Sequence, residues 1–94
     1  MLTVGLYYDV VPGKEKDFED YFNLVVAEIK KKDGFVSALL YKRVDKPDSY
    51  LIYSEWRDRE SFEAFIKSRE FSGAKAGGSD MLAGRPSHKI YNIV

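Results

Sequence analysis

SEWRDRESFEAF, residues 54–65, decides how this chain is read. Its first residues finish the run SYLIYSEW at 49–56, which is rich in aromatic and β-branched residues and reads as a strand. The period then changes. Phe62, Phe65 and Ile66 recur at the three- and four-residue spacing of one helix face. Asp58 lies at the junction and is a residue type that caps a helix by accepting a backbone N–H. A strand over 49–56 therefore hands over to a helix over 59–69, and Trp56, the only tryptophan, sits at the hinge.

The same change of period occurs earlier in the chain. LTVGLYYDVV at 2–11 reads as a strand and stops at the turn signal Pro12-Gly13. In KEKDFEDYFNLVVAEIKKK, Phe18, Phe22, Val25 and Ile29 form an amphipathic stripe flanked by Tyr21 and Val26. Acidic residues open this helix and lysines close it, as its dipole favours. Gly34 stands where a left-handed capping residue belongs. FVSALLYKRV at 35–44 reads as a second strand, joined to 49–56 by the turn Asp45–Asp48, so these two form a hairpin. EFSGAKAGGSDMLAGRP at 70–86, rich in small residues, reads mostly as a loop, with a short helix open around 70–76. HKIYNIV at 88–94 closes the chain as a fourth strand. The order β-α-β-β-α-β predicts one domain over 1–94. Its class is α+β and ferredoxin-like, an antiparallel sheet with both helices on one face.

A sheet covered on one side and wet on the other alternates apolar with polar residues. These strands are apolar on both faces. Val4, Leu6, Tyr8 and Val10 oppose Tyr7 and Val11. Phe35, Leu39 and Tyr41 oppose Val36, Ala38, Leu40 and Val44; Tyr50, Ile52 and Trp56 oppose Leu51 and Tyr53; Ile90 and Val94 oppose Tyr91 and Ile93. Two helices cover one face. The other predicts a second copy laid sheet to sheet, a homodimer.

The totals narrow the function. Fifteen basic residues balance fifteen acidic ones, so no net field draws the chain to nucleic acid or an anionic membrane. No cysteine is present, which removes disulfides, thiolate metal sites and cysteine nucleophiles. No apolar run reaches the roughly 20 residues of a membrane span, and the first residues lack the basic start of a signal peptide. A cytoplasmic protein is the expectation. No carboxylate or histidine spacing suits a metal, and AGGSDMLAGRP lacks the order of a phosphate-binding loop.

VVPGKEKDFEDYF, Gly34-Phe35, YLIYSEWRDRESFEAFIKSREF and AGRPSHKIYNIV together resemble the antibiotic biosynthesis monooxygenase (ABM) domain family, in order and spacing. The most specific piece is the run from Glu55 to Phe65, which matches E-W-x-[DS]-x-E-x-F-x-x-[FW]. The resemblance implies a dimeric α+β barrel. It also implies one of two chemistries: cofactor-independent oxidation of small aromatic phenols or hydroquinones to quinones by dioxygen, or haem degradation. The haem-degrading branch uses an Asn on the first strand, a Trp in the second helix and a His beyond it. The matching positions here are Leu6, Phe65 and Lys75. Leu offers no hydrogen bond and a charged Lys is a poor iron ligand, so the resemblance points to the quinone-forming branch, with no cofactor. A non-catalytic binding or stress-response barrel is the alternative, and a haem-binding relative the third reading.

The candidate site follows from that reading. His88, the only histidine, is the best candidate for a general base, because histidines ordinarily titrate near neutral pH; a strand residue bonding the 84–86 loop is its other reading. Trp56 either lines the substrate pocket with its indole N–H or packs beneath the second helix, bonded to a carbonyl. Phe62 and Phe65 would form pocket walls with Leu6 and Tyr8, which share one face of the first strand. Arg85 would hold a phenolate or carboxylate, or else pair with Glu55, Glu63 or Glu70.

Overall fold

A computed structural model describes residues 1–94, with every side chain except that of Glu70. Strand β1 covers Leu2–Asp9, helix α1 Glu15–Ile29, β2 Phe35–Lys42, β3 Ser49–Trp56, α2 Arg59–Ile66, α3 Arg69–Gly78 and β4 Ser87–Asn92. A single 3₁₀ turn, Ser79–Met81, precedes β4. The four strands form one antiparallel sheet in the order β2-β3-β1-β4, and β2 and β3 pair directly as the hairpin expects. The two strands flanking α1 are parallel but not adjacent, because β3 inserts between them. This is the ferredoxin-like arrangement. No helix among the described residues is long and apolar enough to cross a membrane.

Alternation places Leu2, Val4, Leu6 and Tyr8 of β1 on the helix side, with Tyr50, Ile52, Ser54 and Trp56 of β3 in register beside them. Two buried clusters fill that side. One joins Leu2, Val4, Ile29, Trp56, Phe62 and Phe65. The other joins Val10, Phe18, Tyr50 and Met81.

Two expectations are corrected. First, Phe35 does not share a face with Leu39 and Tyr41. A bulge between Phe35 and Ser37 adds one residue to β2, and an extra residue reverses the parity of what precedes it. Phe35 thus meets Trp56 edge-on at 5.4 Å, on the helix side. Second, 59–69 is not one helix, and 70–86 is not mostly loop. Helix α2 stops at Ile66 and α3 starts at Arg69. Ser68 caps α3, its hydroxyl accepting from the Phe71 N–H at 3.2 Å while donating to the Phe65 carbonyl at 2.6 Å. The small residues of α3 make room for α1: Tyr21 lies against Gly77 and Gly78, so close that a methyl at Gly77 would collide with its hydroxyl, and that hydroxyl donates to the Ala74 carbonyl at 2.9 Å.

Candidate functional site

The register of β4 on β1 assembles three of the expected residues. His88 lies opposite Leu6, and Tyr8 is two residues further along the same face. The imidazole is exposed, while Leu6 and Tyr8 are half-buried. Burial raises the Tyr8 phenol above its ordinary pKa, so it stays protonated and able to donate at neutral pH. Its ring stands 5.5 Å from that of Phe18, and its hydroxyl forms no hydrogen bond among the described residues. The three share the helix-side face of the sheet, a shelf of half-buried Leu6 and Tyr8 with the exposed imidazole beside it.

The other candidates are elsewhere. Trp56 is only 1% exposed. Its indole stacks on Phe65 at 5.1 Å and meets Phe62 edge-on at 5.8 Å. Its N–H donates to the Ser54 hydroxyl at 3.3 Å, and that hydroxyl donates in turn to the Val4 carbonyl at 3.4 Å. Of the two readings of Trp56, this is the packed one, with a serine interposed before the carbonyl. Phe62 and Phe65 are buried around it and leave no open wall. Arg85 is exposed in the segment before β4 and makes no ion pair with Glu55 or Glu63; Glu63 is held by Arg59 at 2.8 Å. The pairing with Glu70 lies outside the described side chains. Lys75, at the position of the haem-ligating His, holds its ammonium 5.6 Å above the Phe71 ring.

Two surface clefts are present as well. One, of about 410 Å³, lies beside the start of α2 and includes Lys32, Asp33, Arg57, Asp58 and Ser61. Its guanidinium is already engaged: Arg57 bonds Asp33 through two nitrogens at 3.1 Å each, Asp58 at 3.1 Å and Ser61 at 3.2 Å. These partners push Arg57 further above its usual pKa, and Arg57 holds Asp33 below its own. The second cleft lies between α1 and β2 and was not foreseen from sequence. There Tyr50, Glu19 and Lys42 form a polar cluster: the Tyr50 hydroxyl donates to Glu19 Oε2 at 2.5 Å, and the Lys42 ammonium is 2.9 Å from the same oxygen. Its one sequence signal was an acid–base pair placed to meet a tyrosine on the inner face of β3. No group of three or more metal-binding side chains occurs among the described residues.

Comparison with known proteins agrees with this fold. The family described as antibiotic biosynthesis monooxygenase matches residues 1–77. A provisionally named heme-binding protein of Haloarcula marismortui is 36% identical over 92% of this chain, and one of Halobacterium salinarum is 33% identical over 92%. The chain spans only 13% and 18% of those proteins' lengths. Among solved structures, SnoaB, a cofactor-independent oxygenase from Streptomyces nogalater, superposes with a TM-score of 0.87 at 22% identity, over 98% of this chain and 91% of that one. A conserved protein from Methanosarcina mazei superposes at 0.88 with 23% identity, over 96% and 89%. The chain belongs to the antibiotic biosynthesis monooxygenase family.

Proposed function

We propose that this chain is a cofactor-independent monooxygenase of small aromatic phenols or hydroquinones, working as a cytoplasmic homodimer. One observation carries the reading: the β1–β4 register that sets His88 across from Leu6 and beside Tyr8. The substrate ring lies on the Leu6 surface. His88 takes the phenolic proton and leaves an electron-rich phenolate. Tyr8, kept protonated by burial, donates to the developing anion. The phenolate passes one electron to dioxygen, and the two radicals join at a ring carbon that carries hydrogen. The hydroperoxide so formed loses water. One oxygen atom becomes the new carbonyl, and the other leaves with the ring hydrogen and one proton, giving quinone and water. Arg85, three residues before His88, is the cation we assign to a second acidic group of the substrate; Lys89, though adjacent in sequence, pairs with Gly5 and lies on the other sheet face.

Four tyrosines support the homodimer. Tyr7, Tyr41, Tyr53 and Tyr91 lie on the sheet face away from the helices, with Leu39 and Leu51. Leu39 and Tyr41 are about half exposed, at 52% and 50%, and a second copy would cover them.

A second reading is a non-catalytic binding barrel. The filled space around Trp56, closed by Phe35, Phe62 and Phe65, favours it. Oxygen uptake with a panel of phenols and hydroquinones separates the two. Uptake above the autoxidation blank that is lost in His88→Ala and reduced in Tyr8→Phe supports the oxygenase. No uptake on any member of the panel overturns it and leaves the binding barrel. The heme-binding name of the relatives is tested with haem itself. Leu6, Phe65 and Lys75 offer iron no ordinary ligand, so no Soret shift is expected on titration.

A further inference from the structure

The cleft between α1 and β2 lies at the sheet edge opposite β4, away from the shelf of His88. It measures about 490 Å³ and is lined by Glu19, Phe22, Asn23, Leu40, Lys42 and Tyr50. Its floor is fixed: Tyr50 is 2% exposed and its hydroxyl holds Glu19 Oε2, so the carboxylate has one preferred orientation. Lys42 closes on the same oxygen and lies 5.5 Å from the centre of the Tyr50 ring. The other carboxylate oxygen, Oε1, accepts no hydrogen bond among the described residues. An ammonium has three N–H donors, and the pairing with Glu19 occupies one of them.

The cluster therefore presents a free acceptor and at least one free donor side by side, against the apolar surface of Phe22 and Leu40. Its charges cancel. An anion entering would meet Glu19, and a cation would meet Lys42, so neither gains from the pair. A neutral planar group with a donor and an acceptor on neighbouring atoms fits both partners at once. Such a group is a primary carboxamide, whose carbonyl accepts from Lys42 while its NH₂ donates to Glu19 Oε1. Asn23, one helical turn beyond Glu19, extends the polar rim with a second amide. The walls suit an aromatic ring. We infer that the α1–β2 cleft is a second binding site, selective for an uncharged aromatic carboxamide and independent of the oxygenase shelf.

The test is a titration of benzamide into isotopically labelled protein, followed by the backbone amide resonances of Leu40 and Lys42 and the side-chain amide of Asn23. Saturable shifts at these positions are expected, with a dissociation constant on the order of 1 mM, as suits a one-ring ligand. Benzoate and benzylamine, the charged counterparts, should bind at least about tenfold more weakly, a difference of about 1.4 kcal/mol. Lys42→Met and Asn23→Ala, both at exposed positions, should weaken benzamide while preserving the rest of the spectrum. His88→Ala should leave its binding unchanged. Absence of saturation, equal binding of all three probes, or shifts centred on Leu6 and His88 would each overturn the assignment. None of these outcomes bears on oxygen uptake, which tests the oxygenase reading by itself.

Discussion

The Trp56 indole and the Phe65 ring lie within 25° of parallel, their centroids 5.1 Å apart, and neither is open to solvent. The family-specific run from Glu55 to Phe65 thus begins and ends on one aromatic contact that locks α2 onto β3. Truncating Trp56 to Ala would remove that contact and leave a void, at a cost of about 3–5 kcal/mol. Trp56→Phe keeps a ring in place but loses the bond to Ser54, at a smaller cost on the order of 1–2 kcal/mol. Urea unfolding followed by circular dichroism measures both. Because Trp56 is the only tryptophan, its fluorescence reports on the same packing. Iodide should fail to quench it until the chain unfolds; ready quenching of the folded protein would mean an open pocket at Trp56.

Gly34 holds φ at +83°, and its carbonyl accepts the Arg57 N–H at 2.7 Å. A side chain there would be strained by the backbone and would collide with Ser61 on α2. Gly34→Ala is expected to cost at least about 2 kcal/mol, from left-handed strain and overpacking together. Adding Ser61→Gly should return only the overpacking share. The pair of melting curves separates the two causes.

Acid should loosen the α1–β2 edge first. The Tyr50 hydroxyl, and then Lys42, hold the Glu19 carboxyl below its usual pKa. A group whose pKa is lower folded than unfolded contributes stability above the unfolded value, about 4.3 for glutamate, and loses it as pH falls through the folded value. The melting temperatures of wild type and Glu19→Gln should therefore differ by a constant amount at neutral pH and converge below about pH 4. A gap unchanged down to pH 3 would show that Glu19 is not held by its partners in solution.

The outer sheet face predicts the oligomer. The Tyr41 and Tyr53 rings meet edge-on at 6.4 Å. Gly5 leaves space for the Tyr7 side chain, whose hydroxyl would stand 3.1 Å from a β-carbon at that glycine. Tyr7 also bonds Tyr91, which is the main cause of its raised pKa. The result is a broad aromatic face. Light scattering at micromolar concentration should give twice the mass of one chain, and Leu39→Lys with Tyr41→Glu should give the monomer. A wild-type monomer would leave the apolar outer face unexplained.

Much of this fold was legible because its signals are local. The change of period after Trp56, the capping Asp58 and the left-handed Gly13 and Gly34 each act within a few residues. Gly34, however, turns the chain into β2 rather than capping α1, which ends at Ile29 with the lysines beyond its last turn. The Asp58 cap forms as expected, its carboxylate accepting the Ser61 N–H at 2.8 Å. Strand alternation placed Leu6 and Tyr8 on the helix side, and antiparallel pairing then brought His88 to them. The bulge after Phe35 has no comparable local signal, since one inserted residue leaves the composition of a strand unchanged. Trp56 was ambiguous for a different reason: burial of its ring depends on Phe35 of β2 and on Phe62 and Phe65 of α2, which pack on it only once the chain has folded. The Tyr50–Glu19–Lys42 cluster is likewise long-range, joining residues 31 apart in sequence through its shortest bond.

Helix α3 tests how far tertiary packing overrides propensity. REFSGAKAGG contains three glycines, each of which disfavours a helix by up to about 1 kcal/mol relative to alanine. Propensity alone therefore predicts that Gly→Ala anywhere in α3 stabilises the protein. The contact with Tyr21 predicts that the sign depends on position. Gly73 has open space where a β-carbon would go, so Gly73→Ala should stabilise by about 0.5–1 kcal/mol. Gly77 faces the Tyr21 hydroxyl, so Gly77→Ala should destabilise by displacing that ring and its bond to Ala74. Tyr21→Phe removes the hydroxyl, and in that background Gly77→Ala should lose most of its cost. A double-mutant cycle by urea unfolding measures the coupling. Equal stabilisation at Gly73 and Gly77 would mean that α1 and α3 do not pack through Tyr21, and that the glycines of α3 are not there to receive it.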